Sequence, residues 1–264
     1  MKIYLIKSLC TAFASVFLFE PATFAQDAKA LVEKMVEASG GRSNLYAQKD
    51  VQYEYTYHDL TEDKKDVSIE RYVFNGELSW AKFITREKSA APDLKGELVQ
   101  GFNGKEAWTT INGKPVDDKK LNTMSRFLRK TNFYWFTMMF KLLDPGLNYE
   151  YAGVRTLNGN SYDLVKVTFG KNVGDAEDVF ILYINQETNL VDQFLFTVKF
   201  FNRIDPLLMT VEYEEINGLK IPTKRKYVEA DWEGNPKNDR WIAEISENVK
   251  FNNGFDRSLF NLPK

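Results

Sequence analysis

His58 is the only histidine and Cys10 the only cysteine among 264 residues. That scarcity limits the chemistry at once. A zinc site built on imidazole and thiolate, or a nucleophile–histidine–acid triad, needs a cluster that one histidine cannot supply. His58 has Asp59 beside it and could act as a base, but it falls on the Gln52/Glu54/Thr56 parity of an alternating run and should face water. No G-x-S-x-G, G-x-x-x-x-G-K or H-E-x-x-H motif occurs. The acidic stretches "DLTEDKKD" (Asp59–Asp66) and "EADWEGNPKND" (Glu229–Asp239) offer oxygens to a cation, yet neither has the ligand spacing of a helix–loop–helix calcium site, and both read as solvated turns. With 37 acidic residues, some carboxylates must lie close together, and nothing singles out a pair. The expectation is no catalytic residue, no metal site and no cofactor.

The residues that stand out are apolar. In "TNFYWFTMMFKLLDPG" (Thr131–Gly146), four consecutive aromatics are followed by two methionines, a phenylalanine and two leucines, with only Thr137 and Lys141 interrupting. A helix that is apolar all round must be buried all round. Either a curled sheet wraps it as core, or part of its surface faces a cavity for apolar ligands, a role that suits the polarizable, flexible methionine side chain. Trp135, Met138 and Met139 are three and four residues apart and share one helix face. They are the first candidate ligand contacts, with Tyr134 beside them, while Phe133, Phe136 and Phe140 are expected in the core. Trp80 and Trp108, which end the similar stretches "FNGELSW" and "FNGKEAW", complete the candidate set.

The elements that would position these residues follow from periodicity. "QDAKALVEKMVEASGG" is one short helix, with Leu31, Val32, Met35 and Val36 at helical spacing and a Gly-Gly stop. From Asp50 the period changes to two, as in "VQYEYTY". Asn-Gly recurs at 75–76, 103–104, 112–113, 158–159 and 217–218, the strongest short hairpin signal. Strands are expected near 50–59, 66–75, 78–87, 96–102, 106–111, 148–156, 161–169, 178–185, 190–201, 207–216, 221–231 and 239–251, joined by short links into an antiparallel meander. One insertion, 117–144, breaks the run: Asp117 or Asp118 can cap a helix and Asp144–Pro145–Gly146 ends it. Its first half is amphipathic, with Leu121, Met124, Phe127 and Leu128 against lysines and arginines.

Composition sets the class. Hydrophobic residues make up 44% and charged residues 27%, which is globular and not disordered. The net charge of −2 gives no basic surface for nucleic acid. Residues 1–25 read as a signal peptide: Lys2 and Lys7, a short apolar core, and "ATFA" before a mature start at Gln26. Cys10 lies within that segment, so the exported chain, residues 26–264 as a single domain, would have no thiol or disulfide.

A signal peptide, a short helix ending in Gly-Gly, an antiparallel meander, an apolar helical insertion, "FNGKEAW" and the tail "FDRSLFNLP" together resemble the periplasmic outer-membrane lipoprotein carrier (LolA/LolB-like) superfamily, in an exported branch of it from Gram-negative bacteria. The resemblance implies a mainly β fold: a strongly curved antiparallel sheet, an incomplete barrel of about eleven strands, with helices over its concave face. It further implies a periplasmic, monomeric carrier that holds lipid or lipoprotein acyl chains and makes transient contact with envelope membranes or lipoproteins. No functional motif of that superfamily maps here residue by residue. The competing expectation is an envelope structural module of the same fold with a filled core.

Overall fold

The computed structural model describes residues 27–171, 173 and 177–263. The expected signal peptide, the Gln26 start and Cys10 lie outside the described residues. Asp27 caps α1 (Ala28–Ala38), its carboxylate accepting the N–H groups of Lys29 and Ala30. Gly40 and Gly41 stop the helix with φ of 104° and 81°. A side chain at Gly40 would sit 2.3 Å from the Gly218 carbonyl oxygen, so glycine is also needed for close packing there. A second helix, α2 (Arg42–Ala47), follows directly and has no counterpart in the sequence expectations.

From there β1 (Asp50–Asp59), β2 (Lys64–Val73), β3 (Leu78–Arg86), β4 (Leu98–Phe102), β5 (Ala107–Ile111) and the two-residue β6 (Lys114–Pro115) step outward as antiparallel hairpins. The long helix α3 (Lys119–Lys141) then takes the chain to the opposite sheet edge. There β7 (Leu147–Leu157) begins the return through β8 (Asn160–Phe169), β9 (Val179–Asn185), β10 (Val191–Val198), β11 (Arg203–Ile216), β12 (Leu219–Glu229) and β13 (Ile242–Phe251). β13 pairs with β1, closing the two halves into one curved, open sheet of thirteen antiparallel strands with β6 and β7 as edges. The strand that sequence periodicity does not reveal is β6, which is too short to show a pattern. The expected 190–201 strand ends at Val198 because Lys199–Phe201 forms a 3-10 turn, closed by Asn202 at φ 55°.

Three of the five Asn-Gly pairs, at 112–113, 158–159 and 217–218, have both residues at positive φ, as tight hairpins demand. At 75–76 and 103–104 only the glycine does. The Asn103 side chain instead accepts the N–H groups of Lys105 and Glu106 at 3.0 and 2.9 Å, an Asx turn.

The all-round apolarity of the second half of α3 has a direct cause: the curved sheet meets it from two sides. Tyr53 of β1 stacks on Phe136 with ring centroids 4.9 Å apart, and Tyr72 of β2 meets Phe133 edge-on at 5.3 Å. Across the helix, Trp135 packs against Phe194 and Phe196 of β10 at 5.9 and 5.1 Å. α1 joins the same core through Leu31, Val32, Met35 and Val36. Among the described residues, no helix is long and apolar enough to cross a membrane.

Candidate functional site: an aromatic cavity beside the long helix

α3 is tied to the sheet by buried polar contacts. Asp118 caps it by accepting the Leu121 N–H at 2.8 Å. Arg129 and Glu70 of β2, both fully buried, form a two-pronged ion pair, and Glu70 also accepts from Ser68 at 2.9 Å, Tyr72 at 2.9 Å and Asn132 at 3.2 Å. Burial would lower the Arg129 pKa, but the Glu70 carboxylate outweighs it and holds the guanidinium charged. Farther along, Arg225 of β12 donates to the Trp135 carbonyl at 2.6 Å, and Arg42 donates to the Phe140 carbonyl at 3.2 Å. Lys141 pairs with Glu77 and with Asp144. Burial alone would lower its pKa, and the two carboxylates raise it instead. Contacts from both halves of the sheet therefore hold the helix in place.

Between this helix and the sheet lies a cavity of about 1330 Å³, part of whose boundary is open to solvent. Small-molecule sites usually fall at about 300–1,000 Å³, so this one has room for a long ligand. The helix lines it with the apolar or aromatic Met124, Phe127, Leu128, Tyr134 and Trp135 and with Thr131, spaced i, i+3/i+4, and with polar neighbours such as Arg126 and Lys130. Phe83, Phe180 and Phe196 line it from the sheet. At the rim, Phe200 and Phe201 are 42% and 53% exposed, yet both pack on Phe127, with centroids 4.4 and 4.8 Å away. The Tyr134 hydroxyl is buried with no hydrogen-bond partner among the described residues, and burial raises its pKa.

The candidate ligand contacts divide in three. Tyr134 and Trp135 line the cavity. Met138 and Met139 share the Trp135 face in projection but sit one turn further on, where the walls have closed. Each is 1% exposed and packed into the main core. The core expectation for Phe136 and Phe140 matches their burial at 1% and 0%, whereas Phe133 is buried and also touches the cavity.

Trp80 and Trp108 lie on the opposite face of the sheet, so the structure does not bring them to the cavity. Strand alternation decides this: Thr109 faces α3 through a hydrogen bond to Ser125, so Trp108 points away. Trp80, Gly101 and Trp108 form one cross-strand row. The Trp108 ring covers Gly101 so closely that a Cβ there would lie 2.3 Å from it. The C-terminal tail folds over this row: Phe260 is fully buried against both tryptophans, and its carbonyl accepts the Trp108 indole N–H at 2.8 Å. The two "FNG" hairpins and "FDRSLFNLP" thus form one structural clasp. The residues that the helix does contribute, Met124, Phe127 and Leu128, belong to the apolar stripe visible in the amphipathic first half of the insertion.

His58 projects to the outer side of β1, where its Nε2 lies 2.8 Å from Asp63. Among the described residues, no three His, Cys, Asp or Glu side chains converge as metal ligands.

The model of a family of unknown function (DUF6503) matches residues 7–203. The chain belongs to the DUF6503 family. No curated protein sequence matches it. In three dimensions this DUF6503 chain is similar to a LolA superfamily protein from Nitrosomonas europaea, with a TM-score of 0.53 at 11% identity over 89% of this chain and 97% of that one. It is also similar to a DUF1329 family protein from Desulfovibrio piger, with a TM-score of 0.52 at 10% identity over 89% of this chain and 97% of the other. The fold of this DUF6503 protein is therefore the LolA-like open sheet with a helix across its inner face.

Proposed function

We propose that this protein is an exported, monomeric, non-catalytic carrier that holds a lipid or lipoprotein acyl chain in the cavity beside α3, with transient contact to envelope membranes or lipoproteins during loading and release. The observation behind this reading is the cavity itself: about 1330 Å³, lined in part by aromatic side chains from the helix and the sheet, and partly open to solvent. Apolar surface left facing water is unfavourable by roughly 25 cal/mol per Å², and an acyl chain occupying the cavity would relieve it. The exposed Phe200 and Phe201 at the rim give such a chain an apolar path inward. The LolA-like fold supports the same reading, as do the signal-peptide grammar of residues 1–25 and the expected periplasmic location. The alternative of a filled-core envelope module accounts for Met138, Met139 and Phe140 but leaves the cavity unused.

Titration of the purified protein with N-phenylnaphthylamine, an uncharged apolar dye, and displacement of the dye by a fatty acid tests the proposal. Saturable binding that is weakened when Trp135 is changed to Ala is expected. Absence of saturable binding would favour the filled-core module.

A further inference from the structure

The cavity wall mixes apolar side chains with polar and charged ones, and one of its polar patches is built around tyrosines. Tyr55 and Tyr57 of β1, Tyr227 of β12 and Glu244 of β13 all line the cavity. Strand register explains the grouping, since Tyr57 lies across from Glu244, which in turn lies across from Arg225. Glu244 and Arg225 are 3–4% exposed and form an ion pair at 3.1 Å, and Arg225 spends a second donor on the Trp135 carbonyl. In front of this pair, the Tyr57 and Tyr227 hydroxyls meet at 2.6 Å. Two hydroxyls have two protons and several lone pairs, and their mutual bond uses one proton. Among the described residues, no protein group takes up the other. On one side of the patch the wall is aromatic, with Phe196 against Tyr227 at 6.0 Å and Trp135 against Phe196.

Granted that the cavity holds apolar ligands, we infer that the Tyr57–Tyr227 hydroxyl pair, backed by the Glu244–Arg225 ion pair, recognises an uncharged hydroxyl-bearing head on the ligand, of the monoacylglycerol or fatty-alcohol kind, in preference to a carboxylate. A ligand hydroxyl can accept the unspent phenolic proton and donate to a phenolic oxygen, satisfying both sides. A carboxylate placed there would have to be desolvated beside the buried Glu244 carboxyl, while the two terminal nitrogens of Arg225 are already given to the Trp135 carbonyl and to Glu244. The other cations of the lining are mostly paired: Lys88 with Asp59 and Glu62, Arg203 with Glu229, Arg42 with Asp144. Arg240, which lines the cavity and is exposed, is one group to which an anionic head could go instead.

The test is displacement of N-phenylnaphthylamine from the full chain by a monoacylglycerol and by a fatty acid of equal chain length. The wild type should bind the monoacylglycerol about tenfold more tightly, the worth of one or two net hydrogen bonds. Tyr57→Phe/Tyr227→Phe removes both hydroxyls and leaves neither orphaned. It should still bind the dye saturably, which reports a folded cavity, and bring the two ligands to within about twofold of each other. If the double variant does not fold, the wild-type comparison still decides the matter. Dye binding by the wild type with equal or tighter binding of the fatty acid overturns the inference while leaving the carrier reading standing, and sensitivity of that binding to Arg240→Ala would place the head at the rim. No dye binding by the wild type overturns both.

Discussion

Replacing Arg129 with Met should destabilise the protein by about 3–5 kcal/mol, the usual result of removing one partner of a buried ion pair. Arg129 and Glu70 are both fully buried, so the loss cannot be discounted for solvent screening. Methionine fills most of the arginine stem and limits the packing loss, which leaves the orphaned carboxylate as the main cost. Glu70 keeps three neutral donors, on Ser68, Tyr72 and Asn132. These bring the expected value toward the lower half of the range. The Arg129→Met/Glu70→Gln double variant removes the buried charge and should recover roughly 1–3 kcal/mol of the loss. Urea unfolding followed by tryptophan fluorescence measures all three proteins, with an unchanged slope required for the comparison. A loss below about 1 kcal/mol for Arg129→Met, or a double variant less stable than the single, would refute the idea that this pair anchors α3 to the sheet.

Met138→Ala and Met139→Ala should each cost about 2–5 kcal/mol in the same assay, because both side chains are core, and neither should greatly change dye affinity. Gly101→Ala should cost about 1–3 kcal/mol by driving a methyl group into the Trp108 ring, again without effect on ligand binding, since that row faces away from the cavity. The Asp59 carboxyl, held down by its hydrogen bond from Lys88, should titrate at about 2 instead of its ordinary 3.8. Its folded-state value lies below the unfolded one, so its contribution to stability is present above pH 3.8 and is lost as the pH falls through about 2. Carboxyl NMR and unfolding at stepped pH check both statements.

Much of this architecture can be read from the chain because the local signals agree. The Val51/Tyr53/Tyr55/Tyr57 alternation, the Asn-Gly turns at 112, 158 and 217, and the Asp118 cap of α3 each have one local physical cause, and each is found in the structure. The cavity is harder to read because it depends on which walls have closed. Trp135 and Met139 share a helix face, yet one borders the cavity and the other is packed into the main core. Trp80 and Trp108 look like site residues in sequence because aromatic side chains serve equally well in a cavity and in a clasp. Their face is set by the Thr109–Ser125 contact and by the tail, 152 residues from Trp108 to Phe260, which no local pattern reveals. The Tyr57–Tyr227 pair is likewise assembled over 170 residues by strand register alone.

The most direct test of the carrier reading is native mass spectrometry of the protein purified without detergent, followed by solvent extraction of the same sample. The expected result is a population heavier than the polypeptide by the mass of a lipid or acyl-bearing molecule, lost on activation and recovered in the extract, and reduced when Trp135 is changed to Ala. A single species at the bare polypeptide mass, with a lipid-free extract and no uptake of added monoacylglycerol or fatty acid, would contradict it.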